Sequence, residues 1–352
     1  MAALRSLFIG DNFIPTTSYT DAVDRLDTDG ALQPQVVDWS GAKDEQHHLQ
    51  QVMETRGANA VPAPAELLGA VADVETISMH FAPVGADLIA AAPSLRLVSV
   101  ARAGLENVDV AEATRRGIGV VPAMGRNAGA VAELQIGLML SEARNIARAD
   151  RSIKDGGWRK DFPGSRVEIA GRTVAMVGFG HVGRVFARRL AGFEPDLLAY
   201  DPYATDADLA ALGVRRADTL EQVFAAGDFV VVQARHSPET DRFVGAAQLA
   251  LMKPTAYFIN VSRSRVVDTA ALLAVLQAGA ISGAGLDVYD DEPLPPDSPW
   301  RGLDNVSLTT HFGGDTEDTN RVSARMVVES LLEFARTGRV AHAVNAAELG
   351  WR

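Results

Sequence analysis

The stretch from Thr173 to Gly183 reads TVAMVGFGHVG, a run of apolar residues leading into three glycines at the spacing GxGxxG. The apolar run predicts a buried β-strand, and the residues after it predict a helix. In that setting Gly178 permits the tight turn, Gly180 lets backbone approach a pyrophosphate, and Gly183 lets the helix pack closely on the strand. The phosphates would lie over the N-terminus of the helix. The stretch therefore predicts a dinucleotide-binding sheet.

A second predicted strand indicates which dinucleotide is bound. It ends at Asp201, eighteen residues beyond Gly183. A carboxylate at this position can accept hydrogen bonds from an adenosine ribose and repels a 2′-phosphate, which favours NAD over NADP. The alternative is a glycine-rich turn that binds no cofactor, with Asp201 as an ordinary turn residue before Pro202.

The turn contains two more candidate cofactor contacts, His181 and Val182. Both are candidates only because of their position in the turn. A histidine in a loop more often has no chemical role. Arg184, directly after the third glycine, is either a pyrophosphate contact or a solvated helix residue, and the sequence does not separate these two interpretations.

Composition narrows the class of protein. A chain of 352 residues, 47% hydrophobic and 22% charged, predicts two domains, and a net charge of -12 opposes binding to nucleic acid or anionic membranes. The chain contains no cysteine, so disulfides, thiolate nucleophiles and cysteine-ligated metals are excluded, and redox chemistry requires a bound cofactor. No metal site is predicted. Residues 1–10 lack the basic-then-apolar order of a signal peptide, and no apolar run is long enough to span a membrane, which favours a cytoplasmic location.

Short apolar runs alternate with helical stretches along the chain, as in parallel sheets covered by helices, so the predicted class is α/β. Predicted strands of the first third are Ser6 to Gly10, Val36 to Trp39, Thr76 to Phe81, Arg96 to Val100 and Ile118 to Val121. Six more are Thr173 to Gly178, Leu197 to Asp201, Phe229 to Gln233, Tyr257 to Asn260, Gly283 to Leu286 and Val306 to Thr309. One uninterrupted helix of about 20 residues is predicted from Asn127, its N-cap, to Asp150, and another from about Asp315 to Thr337.

Three side chains suited to carbonyl or alcohol chemistry follow three successive strands, where ligands of open α/β sheets bind: Arg263, Glu292 and His311. Arg263 can grip a carboxylate with two hydrogen bonds. His311 can accept a hydroxyl proton during oxidation and return it during reduction. Glu292, if bonded to the other ring nitrogen, would fix the tautomer and sustain the imidazolium. Taken singly, each has a structural explanation as a helix cap, a surface acid or a buried histidine; together, after a dinucleotide motif, they indicate a site.

The same region carries a family resemblance. The stretch INVSRSRVVDTAALLAVLQAGAISGAGLDVYDDEP, followed by NVSLTTHFGG, resembles the signature region of the D-isomer-specific 2-hydroxyacid dehydrogenases, which include phosphoglycerate and glyoxylate/hydroxypyruvate dehydrogenases. GRNAGAVAE and GFGHVG precede it in the family's order, and the similarity extends from about Val98 to Asn320.

The resemblance implies roles for specific residues. Arg263, Glu292 and His311 would form the catalytic triad, and the loop Arg102, Ala103 and Gly104 would bind the substrate carboxylate through backbone N–H groups. Asp287 would bind the nicotinamide carboxamide, and Val261 and Ser262 would line the cofactor.

The resemblance also implies an architecture. A Rossmann domain, residues 126–313, would be inserted into a smaller flavodoxin-like substrate domain made of residues 1–125 and 314–352. The long helix and the arm at Gly157-Trp158 would form a homodimer.

The chain departs from the family pattern at Ser264, where glycine is common, at Thr310, where proline is common, and at Asp315, where serine is usual. These differences bear on the substrate more than on the reaction. Formate dehydrogenases normally have glutamine at the position of Glu292, which argues against that activity. The predicted function is NAD-dependent hydride transfer at C2 of a small D-2-hydroxyacid or 2-oxoacid. The alternative is an NAD(H)-sensing interaction protein of the corepressor kind, which needs the fingerprint and no turnover.

Overall fold

The computed structural model describes residues 3–162, 164 and 166–351. The outer limits of the predicted substrate domain, residues 1 and 352, therefore lie outside the described residues. The chain divides into two compact units, Met1–Arg126 with Glu317–Arg352, and Asn127–Thr316.

The first unit is a five-stranded parallel sheet with the order β2-β1-β3-β4-β5. This is the strand order of flavodoxin-like folds. The strands are β1 Leu4–Gly10, β2 Leu32–Asp38, β3 Thr76–Met79, β4 Leu97–Val100 and β5 Gly119–Pro122. The helices are α1 Thr16–Leu26, α2 Lys43–Arg56, α3 Ala65–Ala70, α4 Ala86–Ala91 and α5 Val110–Arg115, with α13 Glu317–Thr337 returning from the far end of the chain.

The second unit is a seven-stranded parallel sheet with the order β12-β11-β10-β9-β6-β7-β8, a doubly wound arrangement. The predicted fold class is confirmed. The strands are β6 Thr173–Val177, β7 Asp196–Tyr200, β8 Val214–Arg216, β9 Phe229–Val232, β10 Tyr257–Asn260, β11 Gly283–Leu286 and β12 Val306–Leu308. The helices are α6 Ala128–Arg144, α7 Ile146–Lys154, α8 His181–Leu190, α9 Asp206–Ala210, α10 Leu220–Ala226, α11 Ala246–Leu249 and α12 Thr269–Gln277.

Two edge strands differ from the prediction. Strand β8 was not predicted, because only Val214 of its three residues is buried and the sequence VRR carries no apolar run. Strand β2 begins at Leu32, earlier than predicted, and contains Pro34. An edge strand tolerates proline and exposes polar side chains, so neither strand has the apolar pattern of the central strands.

The prediction of one helix from Asn127 to Asp150 is wrong, since α6 ends at Arg144 and α7 begins at Ile146. Between them Asn145 has φ 55°, the left-handed conformation that asparagine tolerates better than most residues. Asn127 is the N-cap residue of α6, as predicted, but its side chain makes no capping hydrogen bond.

The tail of the chain forms the predicted helix, α13, which ends at Thr337 before Gly338. Buried residues of α13, among them Val327 and Leu331, pack in one apolar cluster with Phe8 and Tyr19 of the first unit. Residues separated by some 300 positions in sequence therefore share one core. Among the described residues, no helix has both the length and the apolar character needed to cross a bilayer.

Candidate active site

The glycine turn follows β6 and leads into α8. Gly178 has φ 100°, and an added Cβ there would lie 2.9 Å from the backbone nitrogen of Ala234. A Cβ on Gly183 would lie 2.9 Å from Gln233 Oε1. At Gly180, an added Cβ would meet no atom of the described residues within 4 Å. The first and third glycines are thus required by packing, and the second borders open space that a pyrophosphate can occupy.

The N-terminus of α8 provides hydrogen-bond donors next to this space. His181 is the first residue of the helix and is exposed, while Val182 is half-buried. The first N–H groups of a helix have no intrahelical acceptor and attract phosphate oxygens. The residues present therefore fit a dinucleotide. Arg184 is ion-paired, with its Nη1 2.7 Å from Asp208 Oδ1, and this hydrogen bond lowers the pKa of the Asp208 carboxyl.

Asp201 follows β7 directly, and its carboxylate accepts hydrogen bonds from backbone N–H groups of two different loops. Its Oδ2 accepts a hydrogen bond of 2.6 Å from the N–H of Phe179, inside the glycine turn. Its Oδ1 accepts from the N–H groups of Tyr203, at 2.8 Å, and Ala204, at 3.1 Å. The carboxylate therefore links the glycine turn to the loop after β7 and places a negative charge beside the turn.

Glu292 and His311 are in contact. His311 Nδ1 lies 2.6 Å from Glu292 Oε2, and the side chains are 40% and 35% exposed. Glu292 Oε1 accepts a second hydrogen bond, 2.9 Å from the Tyr289 N–H. Because Nδ1 is bonded to the carboxylate, Nε2 is the ring nitrogen that can exchange a proton with a bound molecule.

The backbone at His311 forms a sharp corner, with φ 57° at that residue. Asp287, only 1% exposed, binds this corner. Its Oδ1 lies 2.6 Å from Thr309 Oγ1 and 3.2 Å from the Phe312 nitrogen, and its Oδ2 accepts from the Gly313 N–H at 2.9 Å. Asp287 therefore shapes the loop that presents the imidazole, and its predicted contact with a nicotinamide carboxamide stays a prediction.

Arg263 follows β10, the neighbour of β11 in the sheet, and its side chain is exposed. Its Nη1 donates to the carbonyl of Ser262 at 2.7 Å. Asn260 braces this loop: its Oδ1 accepts from the N–H and the Oγ of Ser262, at 3.0 and 2.9 Å, and its Nδ2 donates to the Arg263 carbonyl at 3.2 Å. Val261 is buried between them.

The three predicted acid, base and cation residues thus follow neighbouring strands, and the structure brings two of them into contact. Glu292 and His311 touch, whereas the guanidinium of Arg263 binds the backbone of its own loop. Sequence reasoning missed Asn260 and Tyr289. The signal at Asn260 is a polar amide that ends an otherwise apolar strand, directly before the loop it braces.

The loop after β9 carries Arg235 and His236. Within the described ranges Arg235 forms no ion pair. His236 Nε2 instead lies 2.8 Å from Asp241 Oδ1, and Arg265 Nη2 lies 2.9 Å from the same oxygen. This network connects the loop after β9 to the loop that carries Arg263.

In the first unit, the loop Arg102, Ala103 and Gly104 follows β4. The backbone N–H groups of these three residues donate no hydrogen bond within the part of the chain that the structure describes. The Arg102 side chain is held by Glu54, 2.9 Å from its Nη2, and lies over the ring of Phe81. The loop therefore offers backbone donors for an anion, while its arginine is already neutralised.

A glycine turn at a helix N-terminus, with a histidine–carboxylate pair at the same edge of the sheet, defines the class of nicotinamide-dependent oxidoreductases. Residues 136–313 match the family model described as D-isomer specific 2-hydroxyacid dehydrogenase, NAD binding domain. The chain belongs to the D-isomer specific 2-hydroxyacid dehydrogenase family.

Relatives agree with this assignment. A glyoxylate reductase of Korarchaeum cryptofilum is 36% identical over 79% of this chain and 84% of its own length. A D-3-phosphoglycerate dehydrogenase of Archaeoglobus fulgidus is 38% identical over 74% of this chain but only 49% of its own length, so the match spans about half of that relative. An NADPH-dependent glyoxylate/hydroxypyruvate reductase of Sinorhizobium meliloti, solved with citrate, has a TM-score of 0.70 and 29% identity, with 99% of both chains covered.

Proposed function

We propose that this protein interconverts a small D-2-hydroxyacid and its 2-oxoacid with a nicotinamide cofactor. The observation that carries the proposal is the 2.6 Å contact between His311 Nδ1 and Glu292 Oε2 at the edge of a dinucleotide-binding sheet. The bound nicotinamide supplies the hydride to C2 in reduction and accepts it in oxidation.

His311 transfers the proton. In the direction of reduction the imidazolium Nε2–H gives its proton to the substrate oxygen, and in oxidation neutral Nε2 accepts it. The Glu292 carboxylate stabilises the imidazolium and fixes which nitrogen faces the substrate. Arg263 would place positive charge beside the carboxylate and the developing alkoxide.

The substrate carboxylate would be held by backbone donors. Among the described residues no acceptor is found for the N–H groups of Arg102 and Gly104, which are half-buried, or of Ala103, which is exposed. This favours the assignment, because N–H groups without an acceptor suit an anion. Asp287, Val261 and Ser262 would contact the nicotinamide portion of the cofactor, and His181 and Val182 the pyrophosphate. These are the roles that the sequence predicts for the same residues.

A substrate panel tests the proposal. NADH consumption is measured with glyoxylate, hydroxypyruvate and longer 2-oxoacids, and turnover with at least one of them is expected. NADH binding without turnover on the whole panel would contradict the proposal and favour the NAD(H)-sensing alternative.

A cytoplasmic location belongs to the same proposal, rests on the sequence alone, and is tested by fractionation of cells.

We infer that the cofactor is NAD rather than NADP. The Asp201 charge lies beside the glycine turn, and nearby Arg184 and Arg216 are paired with Asp208 and Asp206. Little positive charge is therefore free to bind a 2′-phosphate. Replacing Asp201→Ser is expected to raise the ratio of kcat/KM for NADPH to that for NADH by about tenfold or more, equivalent to about 1.4 kcal/mol of relieved repulsion.

Asp196→Asn is the matched control for this prediction, because it removes an exposed negative charge at the start of β7, at the opposite end of the strand from Asp201. Its cofactor preference is expected to stay that of the wild type. A wild-type enzyme that uses NADPH as well as NADH would contradict the assignment, and so would an Asp201→Ser variant with an unchanged ratio.

We also propose a homodimer. Helix α7 buries none of its residues, and it exposes Ile146 and Ile153 by 54% and 57% while Trp158 beyond it is 75% exposed. Apolar area of this kind is normally covered by a partner. Sedimentation equilibrium is expected to give twice the mass of one chain, and Ile153→Asp to shift the population toward monomer. Leu251→Asp, at another exposed apolar position, should leave the dimer intact; a monomeric wild type would refute the assignment.

A further inference from the structure

Tyr289 contacts Glu292 and the backbone of Thr309, two residues before His311. It lies three residues beyond the end of β11 and is 9% exposed. Its backbone N–H donates to Glu292 Oε1 at 2.9 Å, while the other carboxylate oxygen, Oε2, faces His311. The carboxylate is therefore held from its far side by the backbone of this tyrosine.

The phenol of Tyr289 holds the strand that leads to His311. Its oxygen lies 2.8 Å from the Thr309 carbonyl and 3.1 Å from the Leu286 carbonyl. The Leu286 carbonyl also accepts from the Thr309 N–H at 2.9 Å, the last bond between β11 and β12. The Thr309 carbonyl has no other donor among the described residues. The phenol thus supplies the bond that continues the pairing of the two strands beyond their ends.

The hydroxyl is available as a donor because it stays neutral. Burial, followed by the charge of Asp287, raises the pKa of the Tyr289 phenol well above its usual range, with Glu292 raising it and Arg301 lowering it to smaller degrees. Around neutral pH the phenol therefore keeps its proton, which it can donate to one of the two carbonyls or share between them.

The backbone after Thr309 needs such support. The Thr310 N–H donates no hydrogen bond within the described ranges, and His311 has φ 57°, a conformation that costs a non-glycine residue about 1 kcal/mol. Asp287 holds this corner through hydrogen bonds with Thr309 Oγ1 and with the N–H groups of Phe312 and Gly313. The phenol of Tyr289 adds the hydrogen bond to the Thr309 carbonyl.

We propose that Tyr289 is a positioning residue for the proton transfer: its backbone N–H orients Glu292 and its phenol orients the segment carrying His311, so that one residue sets the separation of the pair. This inference rests on the proposed function. Tyr289 does not touch the reacting atoms and acts through Glu292 and His311.

Tyr289→Phe removes the phenol bond and keeps both the ring packing and the backbone N–H. We expect kcat for 2-oxoacid reduction to fall about tenfold, since displacements of about 1 Å in an active site can cost up to a hundredfold. NADH affinity should be unchanged, because the glycine turn follows β6, whereas Tyr289 follows β11. The pH–rate profile should also change, because the variant alters the geometry of the pair that moves the proton.

Tyr257→Phe is the matched control. Tyr257 is a buried tyrosine of β10 in the same sheet and undergoes the same chemical change. A general effect of losing a buried hydroxyl would lower thermal stability in both variants and leave the pH profile of each unchanged. A Tyr289→Phe variant with wild-type kcat and pH profile, or with changes no larger than those of Tyr257→Phe, would overturn the proposal.

A second readout is independent of turnover. Crystal structures of wild type and Tyr289→Phe are compared for the separation of His311 Nδ1 and Glu292 Oε2. We expect it to exceed about 3.5 Å, the limit of a hydrogen bond, or the ring to take two orientations in the variant. An unchanged separation would refute the positioning role. If the wild type reduces none of the 2-oxoacids, the proposed function fails, while this comparison still decides the role of Tyr289.

Discussion

Replacing His311 by alanine is expected to lower kcat for 2-oxoacid reduction by about two to four orders of magnitude, the usual contribution of a positioned acid or base. The structure holds the His311 imidazole against the Glu292 carboxylate. Without the imidazole, only water could donate the proton. Hydride transfer to C2 without a proton donor would build an unneutralised alkoxide. The measurement is steady-state NADH consumption with the best substrate of the panel.

Two variants make this result specific. His48→Ala removes an exposed histidine of α2 and should leave kcat unchanged. Glu292→Gln keeps a hydrogen-bond acceptor but removes the charge, so it should reduce kcat less than His311→Ala does. NADH binding, followed by fluorescence, should be retained in all three. Turnover that survives His311→Ala would show that another group moves the proton.

Replacing Arg148 by alanine is expected to lower the free energy of unfolding by about 3–5 kcal/mol, the cost of leaving a buried charge without its partner. Arg148 Nη2 lies 3.1 and 2.8 Å from the two carboxylate oxygens of Glu142, and the side chains are 8% and 0% exposed. Glu142 Oε2 also lies close to Gly283, where an added Cβ would meet it at 2.5 Å.

The pH dependence of this loss has a definite sign. Burial raises the pKa of the Glu142 carboxyl, and Arg148 opposes that rise. A raised carboxyl pKa means that folding disfavours the charged form, so the penalty is present at high pH and is relieved as the pH falls through the folded pKa. Without the arginine the rise is larger. The deficit of Arg148→Ala relative to wild type should therefore shrink as the pH is lowered from neutral.

Arg151→Ala is the control for this pair. Arg151 lies one turn further along α7, is 82% exposed and is 3.7 Å from an exposed Asp155. Its removal should change the free energy of unfolding by less than about 0.5 kcal/mol. Denaturant unfolding measures both variants. A loss at Arg148 as small as that at Arg151 would show that Glu142 finds another partner or is already neutral.

Much of the fold could be predicted because its signals are local. Apolar runs mark the central strands, and β10 and β11 have the predicted bounds because every residue of each is buried. The GxGxxG spacing marks the turn at Gly178, since few other residues tolerate φ 100° with backbone 2.9 Å away. The edge strand β8 was missed because it depends on its pairing with β7, and the break at Asn145 was missed because no glycine or proline marks it.

The sequence by itself determined the α/β class, the glycine turn and the residues able to grip a carboxylate or move a proton. Only the tertiary structure decided which of them meet: Glu292 with His311, Asp201 with the turn at Phe179, Asp287 with the corner at Gly313, and Tyr289 with both loops. Periodicity and turn chemistry are properties of neighbouring residues, whereas these bonds join segments 19 to 26 positions apart whose distance depends on how the strands pair. That pairing is a property of the folded chain.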